Sequence, residues 1–276
     1  IDRKQNLTIG SAQLISVSVR PELARLIYEE THSRSCLLDL SYDGDRDARR
    51  ALRELGCGEI HDQDLIAAIA EHAAANAENT QWMWACWQWL AEWAAKEPYG
   101  EKHAERIATL KKLPIVPVEG RLIRPEDLAG RIVTWKSEEH AQSLPQWLPL
   151  AFVDDWLRDR IRTSAEQGKA VQKLCAELNI REPKDDVIKL AVGQAIEQYW
   201  EDRQGDPDRF LQFVLMQDWH ETSRASIELQ RCPVPLRSAV KGEWWSKACE
   251  AYFGKEWGND LLEDIYSGHD DVAWVR

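Results

Sequence analysis

Apolar residues recur along most of this chain at the three-and-four spacing of amphipathic helices, interrupted by a few β-branched runs and proline-bounded turns. Residues 14–19 (LISVSV) are β-branched and partly alternating, which predicts a short strand. Pro21 then opens a helix over 21–30, at a position where a missing N–H costs little, with Leu23, Leu26 and Ile27 on one face. A charged amphipathic helix over 45–55 stops at Gly56-Cys57-Gly58, where glycine accepts a left-handed backbone. The acidic start HDQD, followed by Leu65, Ile66, Ile69 and Ala70, predicts the next helix.

Residues 81–95 (QWMWACWQWLAEWAA) are apolar nearly all round, with Trp82, Trp89 and Trp93 on one stripe and Trp84 and Trp87 on another side. Such a helix belongs in an interior, and at this length it is too short to cross a bilayer. An aromatic platform for stacking bases is the rival reading. It lacks a basic flank, so the expectation is core packing. A charged helix over 101–112 follows. In LPIVPVEGRLIRPEDL, Ile115, Val116 and Val118 then predict one strand, Glu119-Gly120 a turn, and Leu122-Ile123 a second strand. The prolines place this hairpin at a sheet edge or in a two-stranded ribbon.

Residues 130–149, with Pro145 and Pro149 around Trp147, read as irregular and mark the expected boundary between halves. Helices are expected over 151–161, 165–178, 185–200, 206–219 and 225–231. In the third of these Val187, Ile188, Ala191, Ile196 and Tyr199 form the inward face.

The chain also resembles itself. ALRELGCGEIHDQDLIAAIAEHAA and LKKLPIVPVEGRLIRPEDL in the first half correspond to KLCAELNIREPKDDVIKLAVGQAI and LQRCPVPLRSAVKGEWWSKA in the second. Leu55 aligns with Leu178, 123 residues on, and Pro114 with Pro233, 119 residues on. The second hairpin would pair Val234 and Leu236 with Trp244-Trp245 and turn at Lys241-Gly242. The expected fold class is therefore α+β, mainly helical, with two similar helical-bundle modules each closed by a short β-hairpin. The modules are residues 1–140, with a hairpin near 113–128, and residues 141–276, with a hairpin near 232–246.

Composition narrows function more than it defines it. Among 276 residues there are 14 tryptophans against 4 phenylalanines and 2 methionines, so indoles dominate the expected core. A net charge of −12 opposes phosphate backbones and anionic lipid. The basic runs 46–53 and 102–112 read as solvated helix faces. Six cysteines (Cys36, Cys57, Cys86, Cys175, Cys232 and Cys249) form no C-x-x-C pair, which suits reduced thiols and a cytoplasmic location. The first residue is Ile1 rather than Met, so a segment of a longer polypeptide is expected.

Candidate chemistry is sparse. The seven histidines make no H-E-x-x-H and no zinc-finger spacing. The groups at 61–64 (HDQD) and 269–271 (HDD) read as a helix start and a solvated tail. No phosphate loop, dinucleotide fingerprint or nucleophile elbow is present. Glu119 and Asp186, each near a basic residue, are a bare trace of nuclease chemistry.

The stretch CPVPLRSAVKGEWWSKACEAYFGKEWGNDLLEDIY, residues 232–266, resembles segments of large bacterial sacsin-like proteins. These carry a chaperone-type GHKL ATPase domain at their N-terminus, and LKKLPIVPVEGRLIRPEDL resembles the same family's recurring phrase. The resemblance implies a region downstream of the ATPase. The E-x-x-x-N and D-x-G-x-G elements of that domain's nucleotide site have no match here, so no ATP-binding residue carries over. The implied role is a non-catalytic regulatory or protein-interaction region of a multidomain ATPase, in a setting of bacterial defence against phage. Its partner would be a protein or the parent's own ATPase domain, with no membrane and no nucleic acid. No catalytic, cofactor-binding or metal residue is assigned. The alternatives are a cryptic nucleic-acid-binding or nuclease module and a structural dimerisation scaffold.

Overall fold

A computed structural model describes residues 12–31, 36–37, 46–136, 144–183, 185–202, 206–216, 231–238, 242–248 and 274–275. Among these residues the protein is mainly helical α+β, with nine α-helices and three small sheets. The chain divides into two compact units: Ile1–Ser137 with Ala151–Glu182, and Glu138–Leu150 with Pro183–Arg276. Residues 151–182, which the sequence groups with the second module, thus pack with the first.

The first unit begins with a parallel β/α/β/α/β run. Its elements are β1 (Ala12–Ile15), α1 (Pro21–Thr31), β2 (Cys36–Leu37), α2 (Arg46–Glu54) and β3 (Gly58–Ile60). The strands lie in the order β2-β1-β3, all parallel, with Leu14 opposite Glu59. Leu14 and Ile15 point to opposite faces, as the period of two requires. Ile15 joins the main core with Ala24 and Ile27, and Leu14, on the other face, packs with Leu52 and Cys57. Arg53 and Arg49 bracket Glu59 at 2.7 and 3.3 Å. Burial pushes the Glu59 carboxyl up, but the hydrogen bonds and charges of the two guanidiniums outweigh it and hold it below its ordinary value. A carboxyl lowered by folding stabilises the fold above its unfolded pKa, and that stability is lost as pH falls through the lowered value. Glu59→Gln should therefore unfold at lower urea than the parent at neutral pH, and the gap should close in acid below the ordinary carboxylate range. A gap that persists unchanged at acid pH would contradict this.

Next come α3 (Asp62–His72), α4 (Thr80–Ala95) and α5 (Glu101–Lys111). Asn79 caps α4, its side chain accepting the Trp82 N–H at 3.1 Å. At the other end of α4, Arg106 donates to the carbonyl of Trp93, and His103 lies 3.3 Å from the carbonyl of Ala94. Basic groups there complement the helix dipole, and the Arg106 guanidinium also stacks 4.9 Å from the Trp93 ring. All five α4 tryptophans are at most 8% exposed. Four of their indole N–H groups donate within the unit: Trp82 to the Ile27 carbonyl (3.2 Å), Trp87 to that of Ile115 (3.2 Å), Trp89 to that of Val19 (3.0 Å) and Trp93 to Asp62 Oδ2 (3.1 Å). A buried indole needs such a partner, and each bond ties α4 to a different segment.

The hairpin is β4 (Val116–Val118) and β5 (Arg121–Ile123). Glu119 and Gly120 both have positive φ, 53° and 73°, the signature of a type I′ turn. The sheet continues through β7 (Leu150–Val153) to β6 (Ile132–Trp135), in the order β5-β4-β7-β6. This corrects two expectations. Residues 151–153 are strand rather than helix, and the helix there, α6 (Asp155–Thr163), starts later. Residues 132–135 are strand inside the stretch expected to be irregular. The hairpin lies at one edge of this sheet, as expected, with β5 as the edge strand, although Pro117 sits in β4, which has neighbours on both sides. Pro117 is tolerated because it serves as an acceptor, its carbonyl taking the Asp154 N–H at 2.9 Å. Helix α7 (Ala165–Glu177) follows and packs against α4 and α6.

In the second unit, α8 (Asp185–Asp202) buries Val187, Ile188, Ala191, Ile196 and Tyr199, the face read from the sequence. Helix α9 (Asp208–Met216) buries Phe210 and Phe213, which meet Trp147 edge-on at 5.0 and 5.6 Å. Strands β8 (Pro233–Ser238) and β9 (Gly242–Lys247) form the second hairpin, with Leu236 opposite Trp244 and β10 (Trp274–Val275) beside β8. Gly242 is the first residue of β9, opposite Ser238, rather than a turn residue. Residues 217–230, which hold the end of the helix expected over 206–219 and all but the last residue of the one expected over 225–231, lie outside the described residues.

Candidate functional site

The loops leaving the carboxyl ends of β1 and β3 meet where the strand order reverses, the place where parallel sheets form ligand crevices. Asp62 fastens this junction, accepting the Ser18 N–H at 2.7 Å and the Trp93 indole at 3.1 Å. Asp64 accepts the His61 N–H at 2.8 Å, and the His61 ring lies 3.4 Å from the Ser16 carbonyl. The carboxylates of HDQD are thus spent on closing the loop and starting α3. Among the described residues no three His, Cys, Asp or Glu side chains are grouped so as to hold a metal ion.

Beside this junction is a cleft of about 670 Å³ lined by Arg20, Glu92, residues 163–167 and Ala170. Arg20 has a φ of 40°, in the left-handed region. It bridges Glu22 at 2.6 Å and Glu92 at 3.0 Å, so its charge is already matched. Gln88 donates to Gln167 at 2.9 Å across the cleft wall. Gln88 and Glu92, four residues apart, break the otherwise apolar surface of α4 where it meets this cleft. That spacing was visible in the sequence and is the one signal that could have located the cleft. The Thr163 hydroxyl, on the cleft wall, donates to the Asp159 carbonyl at 2.9 Å. Glu119 lies in the β-turn, Asp186 lies in α8, and 269–271 fall outside the described residues.

The thiols are placed for packing. Burial pushes the Cys86 thiol well up and Cys175 and Cys232 up to about 12, with Glu182 adding to the rise at Cys175. Cys57 is half-exposed. A thiol reagent at mildly alkaline pH should therefore modify Cys57 in the native protein well before Cys86, Cys175 or Cys232, as mass spectrometry of the digest would show. Equal rates at the four positions would contradict this packing.

A second feature emerges from the register of 123 residues. Helix α2 ends with Gly56 N–H bonded to the Arg53 carbonyl (2.9 Å) and Cys57 N–H to the Leu52 carbonyl (3.1 Å). Helix α7 ends with Asn179 N–H bonded to Ala176 (3.0 Å) and Ile180 N–H to Cys175 (2.9 Å). Both are Schellman caps, and the left-handed residues are Gly56 (φ 87°) and Asn179 (φ 62°). Two residues further on, Gly58 pairs in parallel with Gln13, and Arg181 in parallel with Thr134. The next helices begin at Asp62 and Asp185. One pattern of caps, bridges and helix starts thus occurs twice in a single register.

Burial differs sharply between the two. On α7, Val171, Leu174, Cys175 and Leu178 are all within the core. Their counterparts on α2 are Ala48, Ala51, Leu52 and Leu55, and no residue of α2 is buried. Leu178 is 4% exposed and Leu55 73%. The stripe on α2 is rimmed by exposed Arg46, Arg50 and Arg53.

The fold and these two features define a mainly helical α+β scaffold in which one helix stripe is enclosed and its counterpart is only partly covered, by the packing of Leu52 on Leu14. No protein family, curated protein or solved structure matches the chain. Among the described residues no helix is long and apolar enough to cross a membrane.

Proposed function

We propose that this chain is a non-catalytic protein-interaction region of a larger multidomain ATPase, with the apolar stripe of α2 as its working face. The supporting observation is the unequal burial of two helices that share one backbone register: the α7 stripe is enclosed, while on α2 Leu52 packs on Leu14 and Leu55 is left exposed. An apolar i, i+3, i+4, i+7 stripe is the form in which a helix is recognised in a groove or by another helix. The link to an ATPase rests on the sacsin-like wording of residues 232–266, and bacterial defence is the setting that this wording suggests. The purified chain, given ATP and magnesium or a DNA duplex, should neither release phosphate nor cut the duplex. Turnover of either substrate that co-purifies with the chain would overturn the reading.

A further inference from the structure

Among the described residues Arg20, Arg25, Arg49, Arg106, Arg158 and Arg209 are at least partly shielded from solvent. All but Arg209 lie within ion-pair distance of a carboxylate: Arg20 of Glu22 and Glu92, Arg25 of Glu29, Arg49 of Glu59, Arg106 of Glu97 and Arg158 of Glu182. Shielding a charge from water is costly unless an opposite charge meets it. Arg209, in the first turn of α9, has no such partner among the described residues. The acids beside it in sequence are engaged elsewhere: Asp206 accepts the Asp208 N–H at 3.0 Å, and Asp208 accepts from the Gln212 amide. The Arg209 Nε is buried without a hydrogen-bond partner. Its guanidinium carbon stands 4.7 Å from the centre of the Phe210 ring and 5.4 Å from that of Trp147. Phe210 is itself fully buried and edge-on to Trp147, so both rings are fixed. The terminal nitrogens of Arg209 are open to solvent. The result is a planar fork held at its base by two rings, with no anion on its free end.

We infer that Arg209 is a recognition site for a carboxylate, the side chain of an aspartate or glutamate in a partner protein, with Trp147 receiving an apolar neighbour of that residue. A guanidinium takes a carboxylate through two parallel hydrogen bonds, and a fork already held by rings loses little freedom on binding. Charge sets the ligand class. One cation beside an exposed Asp206, on a chain of net charge −12, suits a monovalent carboxylate better than a phosphate or a nucleic-acid backbone. Shape sets the source. An exposed ion pair adds little by itself, and the half-buried Trp147 offers apolar contact that a peptide can use and a small free acid cannot. Arginine and tryptophan are the residue types that dominate such contacts. The site lies wholly in the second unit, so it goes beyond the reading of α2 and does not depend on it.

The full chain, titrated with end-blocked peptides of the form glycine-leucine-X-leucine-glycine in which X is glutamate, glutamine or phosphoserine, tests this. Binding is read by NMR of the arginine Nε–H groups, with Arg209 assigned by the loss of its signal in Arg209→Gln. The glutamate peptide should shift the Arg209 signal and bind about tenfold or more tightly than the glutamine peptide, the worth of a charge-assisted hydrogen bond. Phosphoserine should bind no better than glutamate, and glycine in place of the leucines should weaken binding. Arg209→Gln should abolish the preference for glutamate, and Arg209→Lys, which keeps the charge but loses the fork, should reduce it. No shift at Arg209 up to the solubility of the glutamate peptide, equal affinity for glutamate and glutamine, a preference for phosphoserine, or binding indifferent to the leucines would each overturn the inference. So would a glutamate preference that survives Arg209→Gln. The peptide comparisons use the unaltered chain, so they decide the matter even where a variant fails to fold. Leu55→Lys should leave this binding unchanged, so the Arg209 site and the α2 face can fail separately.

Discussion

Trp89→Ala is expected to destabilise the first unit by about 3–5 kcal/mol, the cost of truncating a large buried aromatic. Trp89 is fully buried, stacks on Trp93 with ring centroids 6.1 Å apart, and donates its indole N–H to the Val19 carbonyl at 3.0 Å. Truncation removes the apolar contact, opens a cavity and strands a carbonyl in the β1–α1 loop. The same loop carries Arg20, so the cleft should loosen as well. Equilibrium urea unfolding followed by circular dichroism measures the loss. A loss below about 1 kcal/mol would place the indoles at a surface, because exposed sites seldom cost more.

Gly168→Ala is the second large effect, and its sign makes it diagnostic. Replacing an interior helical glycine with alanine ordinarily stabilises by up to about 1 kcal/mol. Here a Cβ would stand 2.1 Å from the backbone oxygen of Ile161. That oxygen belongs to the last turn of α6 and cannot swing aside as a side chain would. Helices α6 and α7 must separate, and the contact of α7 with α4 shifts with them. A loss of about 1–3 kcal/mol or more is expected, as for overpacked cores. A melting temperature at or above the parent's would show that the two helices are not so closely packed.

The helical part of the fold was legible because its signals are local. Pro21 fixes the start of α1, Gly56 the end of α2, and the apolar circumference of α4 its burial. The Glu119-Gly120 hairpin was legible for the same reason, since a type I′ turn needs residues that accept positive φ. The parallel sheet was not. Its strands β2 and β3 are two and three residues long, too short for periodicity to show. Their pairing with β1 is non-local, and α2 lies between them in sequence. Strand β7 reads in the sequence as the first turn of a helix because Ala151 and Phe152 run directly into the apolar pattern of α6. Its pairing between β4, with Val118 opposite Val153, and β6 makes it a strand.

The candidate face shows the same limit. The sequence aligned Leu55 with Leu178 but held no sign that one would be exposed and the other enclosed. Burial depends on which helix lies across the stripe, and that helix, α4, is remote from α7 in sequence. The cleft beside Arg20 had a partial signal in Gln88 and Glu92, whose polarity inside an apolar helix is now explained by the Gln167 and Arg20 side chains they meet.

Site-resolved thiol labelling of Leu55→Cys and Leu178→Cys, in protein dilute enough to be monomeric, bears most directly on the claim that one register is filled twice with unequal cover. The thiol introduced at position 55 should react as an unhindered one, while the thiol introduced at position 178 should stay protected until the first unit unfolds. Similar rates at both positions, or protection of both in the monomer, would contradict it.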